Sequence, residues 1–523
     1  MQELTDAQYQ AVSSRDARFD GWFVVGVNTT GIYCRPGCPA RTPHRENMQA
    51  FQTAAAAQGA GFRACRRCRP DAAPGSPEWD VRGDLVARAM RLIGDGVVDR
   101  EGVEGLASTL GYSPRHLHRM LVAEVGAGPQ ALARAERAQT ARVLIETTDL
   151  SFSDIAFAAD FASIRQFNDT VRAIFARTPT ELRGRAARGA ASQVPGEIEV
   201  RLAYRAPIRL EELFGFLGRR AIPGVEHFDG TTYRRTLRLP RADGIVALSA
   251  APGGGAVRCR LQLADLRDLT AAVARCRTLL DLDADPLAID AALADDPHLA
   301  PLVAAAPGRR VPGAVDGGEL VIRAILGQQV TVAAATGLAA SLVARVGERV
   351  SLADDAAAEP VGGHSADRDD APTLLFPTPD DLAALEPEAF RMPATRRRTL
   401  QAVARALADG QLRIDPGADR DALEAELLAI PGIGPWTVSY VAMRALRHPD
   451  RFLPGDTGVR SGLAALGLST DPVDAERAAE RWRPWRSYAV QHLWAAASVA
   501  PATARPASAA RPSAPTVMSG ATP

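Results

Sequence analysis

The chain has 523 residues, too many for one hydrophobic core and enough for three or four domains of about 150 residues each. Hydrophobic residues make up 46% of it, ample for packed interiors, yet the longest apolar runs, such as 495–500, fall far short of the ~20 residues a membrane span needs. The 61 basic residues balance 61 acidic ones, and every basic residue is arginine, which excludes Schiff-base chemistry on a lysine amine. The first ten residues lack the basic-then-apolar pattern of a secretory leader, so a cytoplasmic location is expected, with no membrane partner.

The first unit is expected over residues 1–77, ending in a Pro/Gly/Ser linker. It holds four of the six cysteines, as Cys34-x3-Cys38 and Cys65-x2-Cys68; Cys259 and Cys276 stand alone. Clustered cysteines in a cytosolic chain read as metal ligands, and two chelating pairs match one tetrahedral zinc ion. From residue 34 to 69 there are seven arginines against one acid, Glu46, a surface suited to DNA phosphates. The stretch from Thr29 to Arg41, with Gly61-Phe62-Arg63-Ala64-Cys65-Arg66-Arg67-Cys68-Arg69-Pro70, closely resembles the N-terminal domain of the Ada adaptive-response family. That resemblance implies that Cys34 takes a methyl group irreversibly from a methylated DNA phosphate. It also implies that Thr30, Arg35, Arg41 and Arg63 contact the DNA backbone. A zinc ion with four thiolates is net negative and repels phosphates; converting one thiolate to a thioether weakens that repulsion, so methylation is expected to strengthen DNA binding. Zinc used only for structure is the competing reading.

A helical unit is expected over 78–190. Leu106-Ala107-Ser108-Thr109-Leu110-Gly111-Tyr112-Ser113-Pro114 reads as helix, glycine turn, serine cap and proline at the first helical position. The pattern returns about 49 residues later, at Ile155 to Ser163, and Thr178 to Arg183 closes it. Two such units resemble the AraC-type DNA-binding domain, which implies two recognition helices in successive major grooves. Asp160 stands where that family usually has glycine; aspartate tolerates the left-handed backbone better than most residues, so the turn is expected to survive.

Residues 197–300 read as an α+β unit. Apolar residues alternate with polar ones at 197–202, 233–239, 244–248 and 257–263, as in an antiparallel sheet with one face buried. Residues 301–499 read as all-α, with an acidic Gly/Ala-rich insertion at 350–373 expected to be mobile, and a Pro/Ala/Ser-rich tail at 500–523 expected to be disordered. The fold class is therefore multidomain, mainly α with α+β. Leu428-Ala429-Ile430-Pro431-Gly432-Ile433-Gly434-Pro435-Trp436-Thr437 is a helix–hairpin–helix signature, in which Gly432 and Gly434 let backbone amides approach DNA phosphates.

Pro454-Gly455-Asp456 follows about 20 residues later. The span 197–499, including Arg323 to Val330, Phe376-Pro377-Thr378-Pro379 and Arg481 to Ala489, resembles the AlkA family of bacterial methyladenine DNA glycosylases. The resemblance implies Asp456 as the catalytic carboxylate, Trp436, Tyr440 and Trp494 lining the cleft, and Gln328, Gln329, Gly432, Gly434 and Thr437 at the DNA. Trp482 and Trp485 read as core or cleft wall. An alkylated ring nitrogen makes the base cationic and a good leaving group. Its departure leaves positive charge on the sugar, which a carboxylate stabilises. The base must leave the helix to be reached, and aromatic rings favour a cationic one. This chain departs from the family at Thr457, where a tyrosine is usual, and at Gln329, where a leucine wedges into the gap.

Double-stranded DNA and RNA polymerase are the expected partners, and zinc the expected cofactor, with none for the glycosylase. Without lysine, the strand is expected to remain unbroken at the abasic site. No Pro-Cys-His-Arg motif occurs, so repair of O-methylated guanine is not expected. The alternative from another class is a transcription regulator whose C-terminal half binds DNA without catalysis.

Overall fold

The computed structural model describes residues 4–15, 19, 22–65, 67–68, 70, 84–184, 197–352, 371–386, 390–415 and 417–499. The linker that ends the first unit, residues 353–370 of the insertion and the tail at 500–523 lie outside the described residues, as do residues 185–196, Arg66 and Arg69.

The N-terminal unit begins with α1 (Asp6–Ser13), closed at its start by a capping box between Thr5 and Gln8. Strand β1 (Val24–Val27) pairs antiparallel with β2 (Ile32–Cys34) and β3 (Met48–Phe51). After α2 (Ala54–Gly59), the short β4 (Arg63–Ala64) pairs in parallel with β2, Tyr33 opposite Ala64. That register brings Cys34 and Cys65, the next residues of two distant segments, side by side.

Seven helices follow: α3 (Asp84–Gly94), α4 (Val97–Leu110), α5 (Pro114–Val125), α6 (Pro129–Thr147), α7 (Phe152–Ala158), α8 (Ile164–Phe175) and α9 (Pro179–Arg183). The two predicted turns are present. Gly111 has φ +77° and Ser113 caps α5 by accepting from the His116 amide; Asp160 has φ +52° and Ser163 caps α8 by accepting from the Gln166 amide. Leu132 and Ala133 bury the start of α6 in one core, and Ala141, Leu144 and Ile145 bury its later turns in another, which makes α6 the spine of this unit. Asp160 does more than tolerate its turn. Its carboxylate lies 3.0 Å from the Arg241 guanidinium of the next unit, and its carbonyl accepts from Arg137 at 3.3 Å. The residue that replaces the usual glycine thus ties the second helix-turn-helix to the sheet domain, while Arg165, Gln166 and Arg172 of α8 stay exposed.

The third unit is a five-stranded antiparallel sheet in the order β5-β9-β8-β7-β6. Its strands are β5 (Glu197–Ala203), β6 (Glu226–Phe228), β7 (Tyr233–Arg238), β8 (Asp243–Ala250) and β9 (Ala256–Leu263), with α10 (Leu210–Gly218) after β5 and α11 (Leu269–Leu279) after β9. Burial alternates along β5 and β8 as the sequence pattern requires. The three-residue β6 is too short to show that alternation in sequence. Beneath the sheet, buried Glu226 is 3.0 Å from Arg323 and 3.3 Å from Arg235, and Arg235 reaches Glu319 at 2.7 Å. This network fastens the sheet to the all-α half.

That half comprises α12 (Pro286–Ala294), α13 (Ala300–Ala305), α14 (Gly317–Leu326), α15 (Val332–Val346), α16 (Pro379–Ala384), α17 (Ala394–Ala408), α18 (Arg420–Leu428), α19 (Pro435–Arg444), α20 (Thr457–Ala465), α21 (Pro472–Ala479) and α22 (Arg486–Val499). Two apolar cores fill it. One joins α14, α17 and α19 through Ile325, Leu400 and Val441; the other joins α19, α20 and α22 through Met443, Val459 and Leu493. Helices α19, α20, α22 and α10 meet around Trp436, Asp456, Trp494 and Phe216. Trp482 and Trp485 are core residues, 2% and 7% exposed. No described helix is long and apolar enough to cross a membrane.

Candidate active site and zinc-binding site

The hairpin between α18 and α19 is built on Gly432, whose φ of +92° is a conformation that L residues rarely adopt. A Cβ there would also lie 2.0 Å from Oγ1 of Thr399, which is itself buried and bonded to the Pro431 carbonyl at 2.8 Å. Gly434 differs: its φ is −113° and a Cβ would meet nothing within 4 Å, so only an approaching ligand needs its bareness. Gly432→Ala is therefore expected to destabilise the domain by about 1–3 kcal/mol, whereas Gly434→Ala leaves the melting temperature unchanged and weakens binding to duplex DNA. Thermal melts and filter binding of both variants check this. Opposite the hairpin, Gln328 donates from Nε2 to the Gly432 carbonyl at 3.2 Å and to the Thr437 hydroxyl at 3.1 Å. Thr437 is 2% exposed, so its place is behind the hairpin, holding Gln328. Gln329 is exposed with φ +57°, at the tip of the turn between α14 and α15.

Asp456 is the N-cap of α20. Its Oδ1 accepts from the Val459 amide at 2.9 Å and from Trp494 Nε1 at 2.8 Å, and its Oδ2 accepts from Trp436 Nε1 at 3.0 Å. A carboxylate offers about four lone-pair directions, so Oδ1 is filled and Oδ2 keeps one free. Trp436 is the second residue of α19, directly after the hairpin, so a single side chain connects the hairpin to the carboxylate. Gly458 makes room for this arrangement, because a Cβ there would sit 2.7 Å from Trp494 Cδ1.

Trp436 stacks on Tyr440 with centroids 5.2 Å apart and planes 14° apart, and Tyr440 lies 6.5 Å from Trp494. All three aromatic residues and Asp456 are partly exposed. The three rings are thus neighbours, and two of them are bonded to the carboxylate. Phe216, unremarked in the sequence, extends the wall by stacking on Trp494 at 6.0 Å and 16°. Trp494→Phe keeps a ring but removes one N–H donor from Asp456; kcat is expected to fall about tenfold, with KM nearly unchanged, by steady-state and single-turnover kinetics.

In the N-terminal unit the Sγ atoms of Cys34, Cys38, Cys65 and Cys68 lie within 4.8 Å of one another. Hydrogen bonds with the neighbouring thiols, Cys38 first, push the Cys34 thiol up, and the Cys38 thiol is brought down to about 7 chiefly by its bond with Cys34. Four sulfurs this close cannot all ionise without a cation between them, and the all-sulfur donor set fits zinc. Cys34 is partly exposed, whereas the other three are buried. Arg41 and Arg63 are exposed nearby, as is Thr30, whose carbonyl accepts from Arg63 at 3.3 Å; Arg35 is half-buried. Arg45 is instead bound to Asp6 at 2.6 Å.

These parts define the class: a modular DNA repair and regulatory protein, with a zinc-thiolate unit, a paired helix-turn-helix and a helix–hairpin–helix domain. Family models match in the same order, as the metal binding domain of Ada (residues 7–71), a helix-turn-helix domain (106–185), the AlkA N-terminal domain (199–316) and the HhH-GPD superfamily of base excision DNA repair proteins (322–487). The "Probable bifunctional transcriptional activator/DNA repair enzyme AlkA" of Mycobacterium tuberculosis is 54% identical over 488 residues, 93% of this chain and 95% of that protein. The chain belongs to this family of bifunctional transcriptional activator/DNA repair proteins. It is also similar to DNA-3-methyladenine glycosylase 2 of Escherichia coli, 34% identical over 56% of this chain and 95% of that protein. The Escherichia coli Ada protein is 37% identical over 32% of this chain and 47% of that protein.

Proposed function

We propose that the C-terminal half excises alkylated bases such as 3-methyladenine from duplex DNA by hydrolysing the N-glycosidic bond, with Asp456 as the catalytic carboxylate. The observation that carries this reading is the indole clamp on Asp456. Two N–H donors and a helix amide fix an anion at the edge of an aromatic slot, and one lone pair of Oδ2 remains for the sugar or the attacking water. The hairpin grips the strand through amides near Gly432 and Gly434, with Gln328 braced by Thr437. Gln329, at the exposed tip, fills the gap left by the extruded nucleotide. The slot of Trp436, Tyr440 and Trp494 then receives the base, its faces drawing a cationic ring. As the glycosidic bond breaks, its electron pair leaves with the base, positive charge grows on the deoxyribose beside Oδ2, and water adds to the sugar and gives up a proton to the solvent.

The N-terminal unit accepts a methyl group at Cys34 Sγ from a DNA methyl phosphotriester. The S–C bond forms, the C–O bond breaks, and the electron pair returns to the phosphate oxygen. A bound zinc ion keeps the four sulfurs as thiolates. Cys34 is the partly exposed member of the set, and Thr30, Arg35, Arg41 and Arg63 hold the DNA backbone beside it. The helix-turn-helix pair then reads a promoter and presents the chain to RNA polymerase, as a cytoplasmic activator. The deciding assay is release of methylated bases from alkylated duplex DNA by the whole chain, with no strand cleavage. Failure to release any base removes the glycosylase reading.

A further inference from the structure

The polar end of the Tyr440 ring is held by a charge. Its hydroxyl accepts from Nη1 of Arg444, one turn further along α19, at 2.6 Å. The same guanidinium donates from Nε to the Pro312 carbonyl at 2.8 Å and from Nη2 to the Gly313 carbonyl at 3.0 Å. Those carbonyls lie in the segment between α13 and α14, which is itself fixed. The Gly313 amide donates to the Leu279 carbonyl at 3.0 Å, and a Cβ on Gly313 would fall 2.2 Å from the Thr278 carbonyl oxygen. Arg444 is buried, so a planar fork anchored at two corners by backbone presents its third to the phenol.

All three partners are neutral oxygens, and a buried cation without a counter-charge is costly. Its charge also opposes the binding proposed above. The Cζ of Arg444 lies 5.3 Å from the Tyr440 centroid and 5.1 Å from that of Phe216, and a cation there weakens the pull of those rings on a cationic base. What the residue contributes is therefore geometry. A tyrosine ring turns about two side-chain torsions, and a bond at the hydroxyl, its far end, restrains both. Burial raises the phenol of Tyr440, but the guanidiniums of Arg444 and then Arg220 outweigh it and leave the group below its usual range, as a cation at the phenol oxygen requires. Trp436 stacks nearly parallel on that ring, and its Nε1 is the donor to Oδ2 of Asp456. A tilt of Tyr440 thus carries into the indole and moves the N–H that fixes the carboxylate. Misplacing a reacting group by about 1 Å can cost roughly a hundredfold in rate.

We propose that Arg444 is a positioning residue for the glycosidic step: through the Tyr440 hydroxyl it sets the plane of the Tyr440–Trp436 stack, and through Trp436 the free lone pair of Asp456. The inference rests on the reading of Asp456, Trp436 and Tyr440 given above.

The test is a double-mutant cycle on the whole chain, read by single-turnover release of 3-methyladenine from duplex DNA. Tyr440→Phe and Arg444→Met are each expected to lower the rate constant about tenfold, while the Kd for the duplex changes by about twofold or less. The double variant is expected to lose about tenfold as well, not roughly a hundredfold, because both substitutions cut one link. Arg444→Lys keeps a donor without the fork and recovers part of the loss. An arginine needed only for packing gives another pattern: the two losses multiply, and Tyr440→Phe alone releases base at the wild-type rate. Either of those results overturns the proposal. Should Arg444→Met fail to fold, Tyr440→Phe still decides, since it deletes one oxygen and leaves both backbone bonds of Arg444 in place. A wild type that releases no base overturns the glycosylase reading itself, and this inference with it.

Discussion

Asp456→Asn is expected to lower excision of alkylated bases by roughly a thousandfold in kcat while DNA binding persists, because the lost quantity is negative charge at the moment the sugar becomes positive. The side chain keeps its size. Its amide oxygen can still accept from Val459 and Trp494, whose bonds both fall on one carboxylate oxygen. The new amide NH2 then faces Trp436 Nε1, which sits 3.0 Å from Oδ2 in the native site, donor against donor. That mismatch costs about 1–3 kcal/mol locally, so the variant is also expected to melt lower than the wild type. The two effects separate by experiment. Binding to an abasic-site analogue reports the folded cleft and hairpin; base release reports the charge. Equal base release by variant and wild type would sink the catalytic assignment of Asp456.

The parts of this site that are legible in the sequence are those whose residues are neighbours in the chain. Cys34-x3-Cys38 and Cys65-x2-Cys68 announce a metal by spacing alone, although only the parallel register of Tyr33 with Ala64 explains how the two pairs meet. The hairpin and Asp456 are separated by about 20 residues, and the fold closes that distance through one tryptophan. By contrast, Phe216 reaches Trp494 from a helix more than 200 residues before the hairpin. It does not stand out as a motif, since Phe216 reads as a core position of an amphipathic helix. Thr437 shows the reverse limit. It lies inside the signature and so reads as a DNA contact, but helical phase turns its side chain inward to hold Gln328. Asp160 was legible as a tolerated turn residue; its bond to Arg241 was not, because a pairing across 81 positions leaves no trace in local periodicity.

Incubation with DNA carrying methyl phosphotriesters is expected to add the mass of one methyl in place of one hydrogen to the wild-type chain, and nothing to Cys34→Ala. Trypsin spares the Arg35–Pro36 bond, so Cys34 and Cys38 travel in one peptide and fragmentation must place the methyl between them. A methyl on Cys38 would remove Cys34 as the acceptor, and an unmodified wild type with bound zinc would make the ion purely structural. The physical consequence is electrostatic. Four thiolates on one divalent ion are net negative, and Cys34 is the partly exposed member of the set. Turning its sulfur into a thioether deletes one negative charge a few ångströms from the phosphates. Affinity is then expected to rise about tenfold to a hundredfold at low salt, and the gain is expected to shrink as ionic strength grows. A chelator that strips the ion should abolish both the methyl uptake and the gain, since the four crowded sulfurs then take up protons and lose nucleophilicity. Titrating methylated and unmethylated chain against the same duplex at two salt concentrations distinguishes this charge effect from a conformational one, which would leave the ratio of affinities independent of salt.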